Sequence, residues 1–461
     1  MTLDESPFRV GMRFQIAGQE YVLSKRLGEG GQGEVWLVSG KQSANAAPTG
    51  RSVPGAFAMK WYNSMAASPR QFEILRRLVS APPPDVRFLW PLALVQMGGI
   101  PRFGYLMHVR EDRFKDLTKM MNGEFAVSPR RLMNACMQLA DSFFRLHARG
   151  MSYCDISYGN VFVDPDSGEI LICDNDNVIV NNTGLTGTTG TPSFVAPEIV
   201  RGEVQQPNTA TDRFSLAVLL FAMIVMHHPF EGRMYDEIPG FVPDKDQQIY
   251  GTPAPFIFHP VDDSNHLPPE YAGPIARWNL LPKFLRRRFV EAFVDTVNKP
   301  QSRVVETIWR SDFLRTHDSI HACPGCGAEN YYDRESCDPN GTVMGDCWRC
   351  KQPIPMPPRL GLKRGDETRV VVAGAGTKLY PIHIGSDAQA QVWELRTPLA
   401  QVESAPNNPQ QLGLRNLSTA TWMASMPDGR LLDIAPGKIV GIRQGVTVQF
   451  GPVFGQFRVT G

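Results

Sequence analysis

The chain has 461 residues, 42% of them hydrophobic, with 47 Lys plus Arg against 46 Asp plus Glu. Such a length exceeds one compact core and implies roughly two to four domains, and the balanced charge removes any general electrostatic case for nucleic acid or an anionic membrane as partner. The first residues show no apolar core run of the kind that marks a signal peptide, and the apolar run at 216–226 is shorter than the about twenty residues a bilayer requires. Of eight cysteines, four form two CxxC pairs, while Cys136, Cys154 and Cys173 sit singly in predicted helix or strand. That usage fits zinc and free thiols in a reducing cytoplasm.

In chain order, residues 21–38 predict strand, glycine turn, strand, with Gly28, Gly30, Gly33 and Val35 at the turn. A polar loop from Ser39 to Gly55 leads to a further strand carrying Lys60. Glu73 lies on an apolar-periodic segment, with Phe72, Leu75, Leu78 and Val79, that predicts a helix. At helical spacing this Glu could simply pair with Arg76 or Arg77 in solvent. Strand-like runs occupy 88–110. Leu132, Leu139, Phe143 and Leu146 form the stripe of a helix over 129–150 that Gly150 ends. Two short apolar runs, at 161–163 and 170–172, then flank a DPDSG turn, which places Asp155, Asn160 and Asp174 at hairpin ends. That set suits phosphoryl transfer: Asp155 can orient and deprotonate a hydroxyl, and Asn160 and Asp174 offer hard oxygen ligands to magnesium.

This series resembles the protein kinase superfamily over about residues 20 to 315. The resemblance implies a bilobal α+β kinase-like domain at 10–315. Its glycine-rich loop would be Gly28, Gly30, Gly33 and Val35, its phosphate-binding Lys would be Lys60, and the helix carboxylate holding that Lys would be Glu73. The catalytic base would be Asp155, the magnesium ligands Asn160 and Asp174, and the backbone of Met107 to Val109 would meet the adenine of ATP. Ala196, Pro197 and Glu198 match the end of the activation segment, and Arg303 falls where kinases keep an Arg paired with that Glu. Asp212 matches an Asp at the start of the large central helix that accepts N–H bonds from the catalytic loop, although any Asp in a first helical turn also makes a good cap. The chain departs from the family pattern in several places. Tyr153 and Cys154 replace His and Arg, Ser157 replaces a common Lys, and Asn175 and Asp176 replace Phe and Gly. Because Cys154 cannot receive an activation-segment phosphate, activity is expected not to depend on phosphorylation at Thr186, Thr188, Thr189 or Thr191.

Cys323, Cys326, Cys347 and Cys350 follow C-x2-C-x20-C-x2-C spacing, and two such knuckles complete a tetrahedral four-thiolate site. With all four positions filled by protein, a structural zinc ribbon at 318–355 is expected. Redox chemistry of the pairs is the alternative, disfavoured for want of a thioredoxin-like pattern. Cys337 is left over. A Pro-rich linker, PIPMPPRLGLKRGDE, then leads to short strands and turns that predict a small all-β sandwich at 366–461. The runs read as strands include those at 379–385 and 391–396. The stretch from Leu412 to Val459 resembles the second half of a forkhead-associated domain. Ser386 stands where such domains keep a phosphothreonine-binding Arg, and Ala420 precedes Thr421 where Asn-Gly is expected, so no binding residue is assigned.

Kinase, ribbon and sandwich in this order resemble bacterial kinases of tellurite-resistance and stress gene clusters. That resemblance implies a metal-dependent protein phosphatase and a von Willebrand factor A-type protein as partners; the kinase motifs imply protein substrates, ATP and magnesium, the cysteine spacing a structural zinc, and the balanced charge no role for nucleic acid or membrane. Two functional readings follow: an active Ser/Thr kinase, or a nucleotide-binding pseudokinase acting as a signalling scaffold.

Overall fold

The structure is a computed structural model that describes residues 6–16, 18–40, 52–181, 190–239, 245, 247–338 and 340–459. Part of the polar loop before Lys60, and Thr186, Thr188 and Thr189, lie outside the described residues. Two compact units emerge. One takes in the described residues of Met1–Val127, Ser142–Pro268 and Ala292–Glu306; the other takes in Ser128–Asp141, Pro269–Glu291 and those of Thr307–Gly461.

The first unit begins with β1 (Arg13–Ile16), β2 (Gln19–Gly30), β3 (Gly33–Gly40) and β4 (Ser52–Tyr62), followed by helix α1 (Pro69–Val79), β5 (Ala93–Gln96) and β6 (Phe103–Arg110). These strands make one antiparallel sheet in the order β1-β2-β3-β4-β6-β5. Leu23, Trp36, Val38, Phe57, Met59, Trp61 and Leu106 bury one face of it, at alternate positions along each strand as a half-buried sheet requires. Helix α1 opens on Ser68, whose hydroxyl accepts from the Gln71 N–H, with Pro69 at the first helical position. It buries Ile74, Leu75 and Leu78.

Helix α2 (Pro129–His147) precedes a hairpin in which β7 (Val161–Val163) pairs antiparallel with β8 (Ile170–Ile172). Helix α3 (Thr209–Val225) is buried on nearly all sides from Leu216 to Val225, so the apolar run at 216–226 is core. Its start is held by a capping box between Asn208 and Thr211. Among the described residues, no helix is long and apolar enough to cross a membrane.

The second unit contains helices Ala272–Leu280 and Lys283–Val290, most of helix Glu306–Asp318, two small hairpins and two larger sheets. The hairpins pair Ile320–Ala322 with Glu329–Tyr331 and Val343–Asp346 with Pro353–Pro355. The larger sheets, of six and four strands, enclose a common core of Leu360, Leu362, Val402, Leu414, Trp422, Val448 and Phe457. This is the small all-β sandwich.

Three boundaries differ from the sequence reading. The Pro-rich stretch is no linker: Pro353–Pro355 pairs in a hairpin, and Arg359–Arg364 is a strand of the six-stranded sheet, with Leu360 and Leu362 turned into the core. The sandwich therefore starts before 366. Residues 381–384 form a helical turn, because Pro381 presets the first helical φ and His383 Nδ1 accepts from the Tyr380 N–H at 2.9 Å. Residues 391–396 form no strand: Gln391 closes a 3-10 turn over Gln389–Gln391, and the next strand begins at Ala400. The ribbon also bonds to the helices of its own unit. Glu329 accepts from the Arg130 N–H at 2.9 Å, and the Arg130 side chain reaches the Ile320 carbonyl at 2.8 Å. Asp333 accepts from the Lys283 N–H at 2.8 Å, and Glu335 grips Arg287 with both carboxylate oxygens.

Candidate active site

The glycine hairpin closes with Gly30 opposite Gly33, leaving Gly31 and Gln32 at its tip. Gly33 has a sterically fixed identity: its φ is 149°, and an added Cβ would collide with the Trp61 carbonyl of the neighbouring strand. Gly28 and Gly30 face open space, which suits a backbone that must approach a ligand. Val35 pairs with Lys60 across β3 and β4, and Lys60 pairs with Tyr105 across β4 and β6. Met107 and Val109 lie on β6, where Met107 opposes Ala58, and the ladder to β5 ends at Leu106. The strand beyond that point thus has an edge that β5 does not cover.

Lys60 is the hub. It is 6% exposed, and its Nζ lies 2.8 Å from Asp176 Oδ2, 2.8 Å from Gln32 Oε1 and 3.7 Å from Asp174 Oδ1. Burial alone would lower its pKa, but the two carboxylates outweigh that and hold the ammonium above its ordinary value. Burial likewise opposes ionisation of Asp176, yet Lys60 and hydrogen bonds hold this carboxyl below the usual range. Asp174 is shifted the other way, raised by lost hydration against the charge of Lys60 and pushed further by Asp176 and Asp155. Its side chain is nevertheless 47% exposed, so the carboxylate opens to solvent. Its backbone is left-handed, with φ 48°, a conformation that costs a non-Gly residue energy and recurs at functional sites.

Glu73 does not meet Lys60. Its carboxylate takes Arg76 at 2.7 and 2.9 Å and Arg77 at 2.8 Å, the solvent pairing that helical spacing allows. These two guanidinium groups hold it down at about 2, hydrogen bonds to Arg76 contributing most. The residue of α1 that reaches the site is Gln71, whose Nε2 donates to the Asp176 carbonyl at 2.8 Å and to the Tyr62 hydroxyl at 3.2 Å. Positions 71 and 73 stand about 200° apart on a helix, so only one of them can face Lys60.

Just before the β7–β8 hairpin, Asn160 donates through its amide nitrogen to the Asp155 carbonyl at 2.8 Å and to Asp155 Oδ2 at 3.1 Å. That leaves the amide oxygen as the atom Asn160 can offer a cation. The Thr191 hydroxyl donates to Asp155 Oδ1 at 3.0 Å, so Thr191 is engaged with the candidate base. Cys154 has φ 72°. This strained turn is held by Asp212, which accepts from the Tyr153 N–H at 2.6 Å and the Cys154 N–H at 3.1 Å. His147 bridges Asp212 at 3.0 Å and Glu306 at 2.7 Å, and Arg213 adds a contact to Glu306 at 2.8 Å. Arg303 grips Glu198 through two bonds of 2.7 Å, both side chains buried.

Sequence reasoning missed Gln32, Tyr62, Gln71 and the contact of Asp176 with Lys60. Two of them carried a signal: Tyr62 shares the face of Lys60 by strand alternation, and Asp176 is a second acid two residues after Asp174. Gln32 and Gln71 carried none.

In the second unit, the Sγ atoms of Cys323, Cys326, Cys347 and Cys350 all lie within 4.8 Å of one another, with Cys323 to Cys350 at 3.7 Å and Cys326 to Cys347 at 3.6 Å. A zinc tetrahedron with bonds of about 2.3 Å has edges of about 3.8 Å, so the four thiols fit that ion. Burial would raise the Cys347 thiol, but N–H groups of Cys350, Arg349 and Asn330 outweigh it and bring the thiol to about 6.

Residues 105–259 match the family model described as the protein kinase domain. The serine/threonine-protein kinase PkaA of Streptomyces coelicolor is 27% identical over 224 residues, covering 47% of this chain and 40% of that protein. Protein kinase C delta type of Rattus norvegicus is 36% identical over 97 residues, 20% of this chain and 14% of that protein. A probable cAMP-dependent protein kinase catalytic subunit of Encephalitozoon cuniculi is 26% identical over 132 residues, 29% of this chain and 34% of that protein. The chain thus spans well under half the length of each of these relatives. With this match, a glycine hairpin over a buried Lys, and an Asp-Asn segment joined to Asp212, the chain resembles protein kinases, the family match lying at residues 105–259.

Proposed function

We propose that this chain transfers the γ-phosphoryl group of ATP to Ser or Thr hydroxyls of protein substrates. The observation that carries this reading is the Thr191 hydroxyl hydrogen-bonded to Asp155: the candidate base already presents its carboxylate to an aliphatic alcohol. In the reaction, the substrate oxygen bonds to the γ-phosphorus, the bond to the β–γ bridging oxygen breaks, ADP leaves, and the hydroxyl proton passes to Asp155. Lys60 would draw phosphate oxygens under the glycine hairpin, and the uncovered edge at Met107 to Val109 would meet the adenine. Gln32 must then leave Lys60 as the phosphates arrive. Asp174 and Asn160 would hold magnesium, which when bound neutralises charge on the phosphates. The four cysteines would hold a structural zinc. A bacterial stress-signalling setting, with a metal-dependent phosphatase and a von Willebrand factor A-type protein as partners, completes the proposal and is testable by co-purification.

The decisive experiment is thiophosphate labelling from thio-ATP by the purified chain beside Asp155→Asn. Labelling by the wild type and its loss in the variant are expected. Nucleotide binding without transfer in the wild type would sink the catalytic reading in favour of a scaffold.

A further inference from the structure

Resting on the kinase reading above, we propose that Asp176 is the positioning carboxylate of Lys60, in the place expected for the α1 glutamate, and that Asp174 is left to the metal. Glu73 cannot serve, because both its oxygens are engaged by Arg76 and Arg77 on the other side of the helix. Asp176 stands on a buried 3-10 turn, Asn175–Asn177, which Asn175 pins by donating to the Ile172 carbonyl at 3.0 Å. From there Oδ2 meets Lys60 Nζ at 2.8 Å and also accepts from the Tyr62 hydroxyl. Gln71 then ties both the Asp176 carbonyl and the Tyr62 hydroxyl to α1.

Exposure divides the two acids. Magnesium keeps several waters when it binds protein. The Asp176 side chain is 1% exposed, whereas that of Asp174 is 47% exposed and stands farther from Lys60, at 3.7 Å. A carboxylate sealed from water and touching an ammonium is placed to aim that ammonium; one open to solvent is placed to share a hydrated cation. The Lys anchor and the metal ligand therefore sit on one turn, two residues apart. Helix α1 acts on the site through a neutral amide instead of a charge.

The test uses the full chain as wild type, Asp176→Asn, Lys60→Met, the double variant and Glu73→Gln, with ATP affinity, magnesium half-saturation and thermal unfolding as readouts. Asp176→Asn is expected to weaken ATP binding tenfold or more while magnesium half-saturation stays within twofold. It should have no further effect in the Lys60→Met background, and Glu73→Gln should stay within twofold throughout. The proposal is overturned if Glu73→Gln matches Asp176→Asn, if the Lys60 and Asp176 effects simply add, or if added magnesium or manganese rescues Asp176→Asn, which would make Asp176 a metal ligand. Should Asp176→Asn not fold, recovery of folding in the double variant supports the pairing, and continued failure overturns it. A wild type that binds no ATP would defeat the kinase reading, while non-additive unfolding in the same variants would still decide the pairing.

Discussion

Lys60 and Asp174 both serve the phosphates in this reading, yet the physics of losing them differs. Lys60→Met leaves Asp176 as a buried charge without its partner, a change of about 3–5 kcal/mol, so it should abolish transfer and also lower the unfolding temperature. Asp174→Ala removes a half-exposed carboxylate, so it should abolish transfer with little change in unfolding. Parallel activity and melting measurements separate the two. Thr191→Ala removes a hydrogen bond to a charged group, worth roughly 1.5–3 kcal/mol. Turnover is expected to fall about tenfold or more, and Thr191→Ser, which keeps the hydroxyl, to restore most of it. His147 gives a pH prediction. Burial alone would lower this imidazole, but Asp212 and Glu306 outweigh it and raise it to about 9 from an ordinary 6.5. A raised folded-state value means that its stabilisation is fully present below about 6.5 and is lost as pH climbs through about 9. The unfolding temperature should therefore drop across that window, and the drop should shrink in His147→Gln.

At the scale of elements, some motifs were legible because both ends of an interaction are chemically committed. Glu198 and Arg303 were paired through the family resemblance, and the partners it joins are a carboxylate and the guanidinium that can satisfy it when buried; Arg303→Ala should cost about 3–5 kcal/mol in denaturant unfolding. Four cysteines at knuckle spacing were legible for a similar reason. The Glu73 helix was legible as a helix, but not the residue it turns to Lys60, because one step along a helix rotates a side chain by about 100° and the apolar stripe does not say which flank lies over the site. Residues 379–385 misled through Ile382 and Ile384, whose alternation imitates a strand, while Pro381 and Tyr380 had already set a helical turn. Leu360 and Leu362 show the reverse: their period of two was present, but the prolines before them suggested a linker.

Across the whole chain, the ribbon and sandwich are not beads beyond a finished kinase domain, since helices 272–280 and 283–290 share a compact unit with them. One zinc per chain is expected from metal analysis of protein prepared without chelator, and loss of binding in Cys347→Ser; binding and folding of such ribbons are one event. The helix Lys283–Val290 has Pro282 at its cap position and no capping side chain of its own. The bond from the Lys283 N–H goes instead to Asp333, in the segment between the two cysteine pairs. Free zinc is then, in linkage terms, a distant ligand of that helix end: stripping the ion should speed hydrogen exchange at the Lys283 amide, so that occupancy of a four-thiolate site can be read from a single proton on a neighbouring helix.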